Sequence, residues 1–213
     1  MKKQTKKEIF MEKIRSIRTA LAFSLVFLLA GCSGKQDGAM TIQKAELTEK
    51  EQQTVALIET GRSVKLYDYK TEPGISSLLF SVETLNEQGQ WETVASSVFS
   101  QSGQEDDRVA ILFSDDSITF SCGEGRYEVM LGSSHYKNTA DSWLTETSPI
   151  RTDEKIPLGI VAYTDSDSVI FPNTDDYEEP EKLSGRQYKE VKAVTLQFSG
   201  ETLPGSEKER NTP

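Results

Sequence analysis

One histidine and two cysteines are spread over 213 residues. A single imidazole (His135) and two distant thiols (Cys32 and Cys122) cannot build a Cys/His zinc site. The Cys122–His135 pair sits in no local signature of a thiol nucleophile. No His-Glu-x-x-His helix, Gly-x-Ser-x-Gly elbow, phosphate loop or dinucleotide fingerprint occurs, so neither a metal nor a cofactor is expected. Also missing is an uncharged run as long as the ~20 apolar residues that span a bilayer. Beyond residue 31 cations are scarce: seven of the 24 Lys/Arg and two of the 34 Asp/Glu precede it, which leaves 17 basic against 32 acidic side chains, a balance of −15. Phosphate recognition needs a cationic footprint, so nucleic acid is not an expected partner. The negative excess suits a domain kept soluble by its own charge.

What is present begins with charge of the opposite sign. Lys2, Lys3, Lys6, Lys7, Lys13, Arg15 and Arg18 precede Thr19–Ala30, which is apolar apart from Thr19 and Ser24. The order and length match a secretory signal over residues 1–31, and the basic flank orients such a segment. Met11 is a second candidate start, because Met11 to Arg18 alone carries a basic region. The junction Leu29-Ala30-Gly31-Cys32 resembles the lipobox of bacterial lipoproteins. That resemblance implies cleavage between Gly31 and Cys32 and a diacylglycerol on the Cys32 thiol. It also implies contact with the membrane through that lipid, and an extracytoplasmic place at the cell membrane or surface. Ser33, rather than Asp, follows the cysteine, which implies the outer membrane where the envelope has two. With Cys32 acylated, Cys122 has no disulfide partner and is expected in the core as a small apolar residue.

Residues 32–45, from the lipidated cysteine onward, are expected to form a tether, 46–204 a single β-rich domain, and 205–213 a disordered tail. Thr48-Glu49-Lys50-Glu51 is a capping box, which predicts a short helix ended near Gly61. After it the apolar period is two. Val64–Tyr69, Leu78–Val82, Trp91–Ala95, Val109–Phe113, Ile118–Cys122, Tyr127–Leu131, Ile156–Tyr163 and Val191–Phe198 read as strands. The stretch from Val109 to Leu131 reads as a three-strand meander with Cys122 facing inward. Short strands at this spacing predict an all-β fold, an antiparallel β-sandwich or open barrel of about seven or eight strands with one short N-terminal helix.

Two long connections, 132–155 and 172–190, are the candidate working surfaces, since connections beyond about 12–15 residues are often functional. Ser134 and Lys137 match Ser-x-x-Lys, but the companion motifs of penicillin-recognising enzymes are absent and no catalytic residue is assigned. Asp165, Asp167 and the Asp175–Glu179 run offer oxygen ligands for Ca²⁺, yet lack the Gly and terminal Glu of an EF-hand loop. Trp143, Tyr136, Tyr67 and Tyr69, with Trp91, form a candidate aromatic platform for a sugar or peptide. The alternative for these rings is packing. Tyr67 and Tyr69 share the strand face opposite Val64 and Leu66, so one pair is expected at the surface. The capping-box helix followed by Tyr67-Asp68-Tyr69-Lys70 resembles small surface lipoproteins of Gram-positive bacteria, a likeness that implies no ligand. Three functions compete: a non-catalytic binding or interaction module at the cell envelope, an envelope enzyme using carboxylate or Ser/Lys chemistry, and a structural subunit of an envelope complex.

Overall fold

Alternating apolar positions along the chain build two antiparallel sheets that share one core. A computed structural model describes residues 39–203 except 60, 102–105, 115, 132–135 and 185. Gly31, Cys32, Ser134 and His135 lie outside these described residues. The first sheet holds β1 (Thr41–Lys44), β2 (Ser63–Lys70), β5 (Asp106–Phe113), β6 (Ser117–Cys122), β7 (Gly125–Met130) and β9 (Ser148–Pro149), in the order β7-β6-β5-β2-β1-β9. The second holds β3 (Ser77–Leu85), β4 (Trp91–Ser100), β8 (Asn138–Trp143), β10 (Lys155–Thr164) and β11 (Glu190–Ser199), in the order β4-β3-β11-β10-β8. The chain is therefore an all-β sandwich, not a closed barrel.

Inward residues of both sheets meet between the layers. Phe80 of β3 stacks on Phe120 of β6 with ring centroids 4.4 Å apart, and Phe99 of β4 tilts against Phe120 at 5.0 Å. Ile111, Ile118, Leu158, Val194, Leu196 and Phe198 complete the middle of this layer, each wholly buried. Burying a side chain of this kind contributes about 1.5–3 kcal/mol, so these contacts dominate the fold's stability. The β5-β6-β7 meander forms as expected, and Cys122 points into the core.

Three expectations are corrected. The stretch assigned to the tether contains β1: Ile42 is fully buried, and the strand sits inside its sheet between β2 and β9. One buried isoleucine and two ladders outweigh the polar composition of Thr41, Gln43 and Lys44. The connection 132–155 contains β8 and β9. β8 pairs with β10; Trp143 turns into the core between the sheets, and Ala140, opposite Ala162, is buried on the other face. The count thus rises to eleven strands among the described residues, because short polar strands are recruited by neighbours whose backbone groups need partners.

The registers define two ends of the sandwich. Thr41 pairs with Lys70, Lys70 with Asp106, and Ser77 with Ser199, and the connection 71–76 crosses between the sheets at this near end. The far end gathers the start of β2 and the end of β5 in the first sheet, and the start of β8 and the end of β10 in the second. The helix α1 (Glu49–Ile58) forms with both capping-box bonds in place, and its Glu51 meets Arg108 at 3.3 Å. No residue of α1 is buried.

Candidate functional site

The second sheet carries a polar cluster on the face turned away from the core. Glu83 of β3 projects there between Ala193 of β11 and Thr93 of β4. It is 1% exposed, an unusual place for a carboxylate. Three donors satisfy it: the Tyr177 hydroxyl at 2.7 Å, the Thr93 hydroxyl at 3.2 Å and the Lys155 ammonium. Burial, then the bond to Glu83, pushes the Tyr177 phenol above its ordinary value, so it stays a donor at neutral pH. Tyr177 also stacks on Trp91 with centroids 5.1 Å apart and accepts the indole N–H at its carbonyl, 2.9 Å away.

These contacts hold down the acidic connection between β10 and β11. It is structured by a 3₁₀ turn (Thr174–Tyr177), capped by Asn173, and a single-turn helix α2 (Glu181–Ser184). Leu183 inserts beside Ile160, Ala162 and Val191, so the outer face of the second sheet has a small core of its own. Asp176 of the turn is buried, meets Arg186 at 3.1 Å and accepts the Asn173 amide at 2.9 Å. Arg186 also donates to the Phe171 carbonyl at 3.3 Å, and the Tyr188 hydroxyl donates to the Ile170 carbonyl. The result is a braced loop whose side chains Ile170 and Phe171 stand 57% and 67% exposed. A shallow cleft of about 310 Å³ lies beside it, lined by Thr164, Ser168, Ile170, Arg186, Gln187 and Tyr188.

A wider groove of about 510 Å³ opens at the near end, along Thr41, Gln43, Lys70, Asp106 and the Asp68–Arg108 pair. Arg108 donates to both Asp68 oxygens, which raises its pKa further above an already high value. Of the charges in this groove, Asp68 and Arg108 are paired with each other, and Asp107 accepts the Arg108 amide at 2.8 Å.

The structure dissolves the expected aromatic platform. Tyr67, Tyr69 and Trp143 are buried, at 1%, 3% and 8% exposure. The Tyr67 hydroxyl donates to the Leu158 carbonyl at 3.2 Å, and Tyr69 receives the Gln101 amide at 2.7 Å. Both sheet faces of β2 are apolar enough to turn inward. The larger tyrosines do so, and Val64 and Leu66 stay half-buried outside. Trp143 lies flat over Gly159, where any Cβ would collide with its ring. Tyr136 is half-buried against Tyr163, with centroids 5.8 Å apart. No family model, curated protein or solved structure matches this chain.

The candidates for chemistry disperse likewise. Lys137 is paired with Asp167, and Asp165 accepts the Lys137 amide at 3.3 Å, so these carboxylates fasten a turn. Among the described residues no group of three His, Cys, Asp or Glu side chains is placed to hold a metal ion. Burial pushes the Cys122 thiol up, with Tyr69 as its neighbour at 3.9 Å. In the native chain at pH 8, alkylation of Cys122 by iodoacetamide is expected to be more than about tenfold slower than in urea, since the thiolate is the nucleophile. Mass spectrometry of the two reactions checks this, and equal rates would contradict an inward Cys122.

Sequence analysis missed Glu83, Ile170, Phe171, Arg186 and Tyr188. One signal was available: Val169-Ile170-Phe171 is an apolar triplet placed just after a central strand and before a strongly acidic stretch. Such a run belongs either in a core or at a contact surface.

Proposed function

We propose that the chain is a lipid-anchored, extracytoplasmic interaction module of the cell envelope, held to the membrane through Cys32. The observation that carries the anchor is the junction Leu29-Ala30-Gly31-Cys32, placed directly after a basic and then an apolar stretch. In the processing this implies, the Cys32 thiol attacks the glyceryl carbon of a phospholipid. The C–S bond replaces the C–O bond to the phosphate head group, which leaves as the phosphate ester while the thiol proton is released. Water then hydrolyses the Gly31–Cys32 peptide bond to free Cys32 as the new N-terminus. The interaction role is supported by the braced, exposed Ile170–Phe171 loop. Large apolar side chains fixed in solvent are a feature of contact surfaces rather than of reaction centres. The buried carboxylates Glu83 and Asp176 are satisfied by their own partners, which favours a binding role over an enzymatic one.

The test is intact-mass analysis of the chain purified from cells fed an alkynyl fatty acid. The expected species begins at Cys32 and carries the label. Protease added to intact cells is expected to remove the sandwich domain where it faces outward. An unlabelled chain, or one cut elsewhere, would count against the anchor.

A further inference from the structure

Among the described residues, most of the strongly exposed large apolar side chains lie at the far end of the sandwich. Six large apolar residues are strongly exposed among the described residues: Leu57, Ile58, Val94, Met130, Ile170 and Phe171. All but Val94 lie at the far end. Leu57 and Ile58 close α1 just before β2 begins, Met130 pairs with Ser117 at the start of β6, and Ile170 and Phe171 follow the end of β10. Chain entering from residue 40 joins β1 at the opposite end.

The Ile170–Phe171 loop is the part of this end built to stay exposed. Neither side chain joins a core cluster, although each would contribute about 1.5–3 kcal/mol if buried. The loop does not fold back to bury them, because both carbonyls are held from the β11 side, by Tyr188 and by Arg186. Arg186 is itself fixed by the buried Asp176. The bracing removes much of the ordering entropy that a loose loop would lose on binding. Charge defines the surroundings. From Asp165 to Arg186 there are seven carboxylates against Lys182 and Arg186, and six of the carboxylates (Asp165, Asp167, Asp175, Glu178, Glu179 and Glu181) are exposed. Asp167 pairs with Lys137, Glu179 with Lys182 and Asp176 with Arg186, which leaves a negative excess around the loop.

We propose that this end docks a segment of a partner protein with an apolar centre flanked by Lys or Arg, whose apolar side chains pack on Phe171 and Ile170 beside the cleft. An apolar centre within a ring of charge is the usual arrangement of a contact whose affinity comes from a few buried residues. The acidic rim supplies attraction to those basic flanks and repulsion of everything else. It rejects an anionic bilayer, and it rejects a second copy of this chain, which would bring two acidic rims together. The proposal rests on the interaction reading above, but not on acylation of Cys32.

The test uses the full chain in non-ionic detergent and three synthetic peptides: Leu-Phe flanked by Lys and Arg, the same core flanked by Glu, and the basic flanks around Ser-Ser. Titration calorimetry is expected to show binding of the first, and binding of the other two weaker by at least about tenfold. The Ile170→Ser/Phe171→Ser double variant is expected to lose about tenfold or more, as removal of a central apolar anchor does. A variant with Asp165→Asn, Asp167→Asn, Glu178→Gln and Glu179→Gln leaves the apolar pair in place and is expected to weaken binding and flatten its salt dependence. Lys70→Ala, at the near end, is expected to change nothing. Equal affinity for the Glu-flanked peptide overturns the proposal. So does retention on anionic vesicles, or self-association that Phe171→Ser abolishes. Peptide binding that survives the 170/171 double variant overturns this surface but keeps the interaction reading. No binding by any peptide overturns the proposal outright, whatever the state of Cys32.

Discussion

On the proposed anchor, replacing Cys32 by alanine is expected to leave an uncut and unacylated chain. The alanine lacks the sulfur that the diacylglyceryl carbon would join, and a peptidase that requires the lipidated residue has no substrate. The size of the effect follows from the anchor's physics. Each buried methylene contributes about 0.8 kcal/mol, so one acyl chain holds marginally and two hold durably. Loss of both removes the mature attachment entirely, rather than weakening it by degrees. Intact-mass analysis and acyl labelling check the outcome: the variant should carry the mass from its start Met onward and no label. A Cys32→Ala chain of mature mass that still takes up label would refute the assignment of Cys32.

Replacing Glu83 by alanine is expected to destabilise the fold by about 2–3 kcal/mol and to loosen the far end selectively. Breaking a buried ion pair costs about 3–5 kcal/mol when the remaining charge is trapped. Here the orphan is Lys155, whose side chain is 35% exposed and reaches water, so the loss falls at or below the lower end of that range. Two further donors, Tyr177 and Thr93, lose their acceptor. A Tm lower by about 5–10 °C is expected for a domain of this size. Glu83→Gln keeps an acceptor for Tyr177 and is expected to cost about 1–2 kcal/mol. Hydrogen exchange separates the local from the global effect. Amides of the 3₁₀ turn and α2 should lose protection in Glu83→Ala, while those of the β5-β6-β7 meander should not. Uniform loss of protection across both regions would show that Glu83 does not specifically clamp this connection.

Much of the sandwich is legible along the chain wherever one face of a strand is apolar and the other polar. Ile118, Phe120 and Cys122 against Ser117, Thr119 and Ser121 is one such case, and it forms the middle of the meander. Legibility fails where that contrast fails. β1 offers one apolar residue, Ile42, and its burial depends on β2 and β9 lying on either side. In β8, Asn138–Trp143, polar residues fill most positions because the strand lies at the sheet edge. Strand β2 fails in the opposite sense: Val64 and Leu66 compete with Tyr67 and Tyr69, and alternation alone cannot choose the inner face. Packing chooses the tyrosines, whose hydroxyls then need the Leu158 carbonyl and Gln101 found far off in the sequence. The same distance hides the loop's supports, since Glu83 and Tyr177 are 94 positions apart. Residues 169–171 were visible as an apolar triplet, but the braces that keep two of them exposed come from the far side of the connection.

The place of β1 has a mechanical consequence. Chain ahead of Thr41 enters a strand hydrogen-bonded on both sides, with four register partners in β2 and two in β9. Ladder bonds lie across the strand axis, so tension transmitted along that chain meets them in shear, all together, instead of peeling them one at a time. Tension applied ahead of Thr41 therefore loads the first strand without unzipping it.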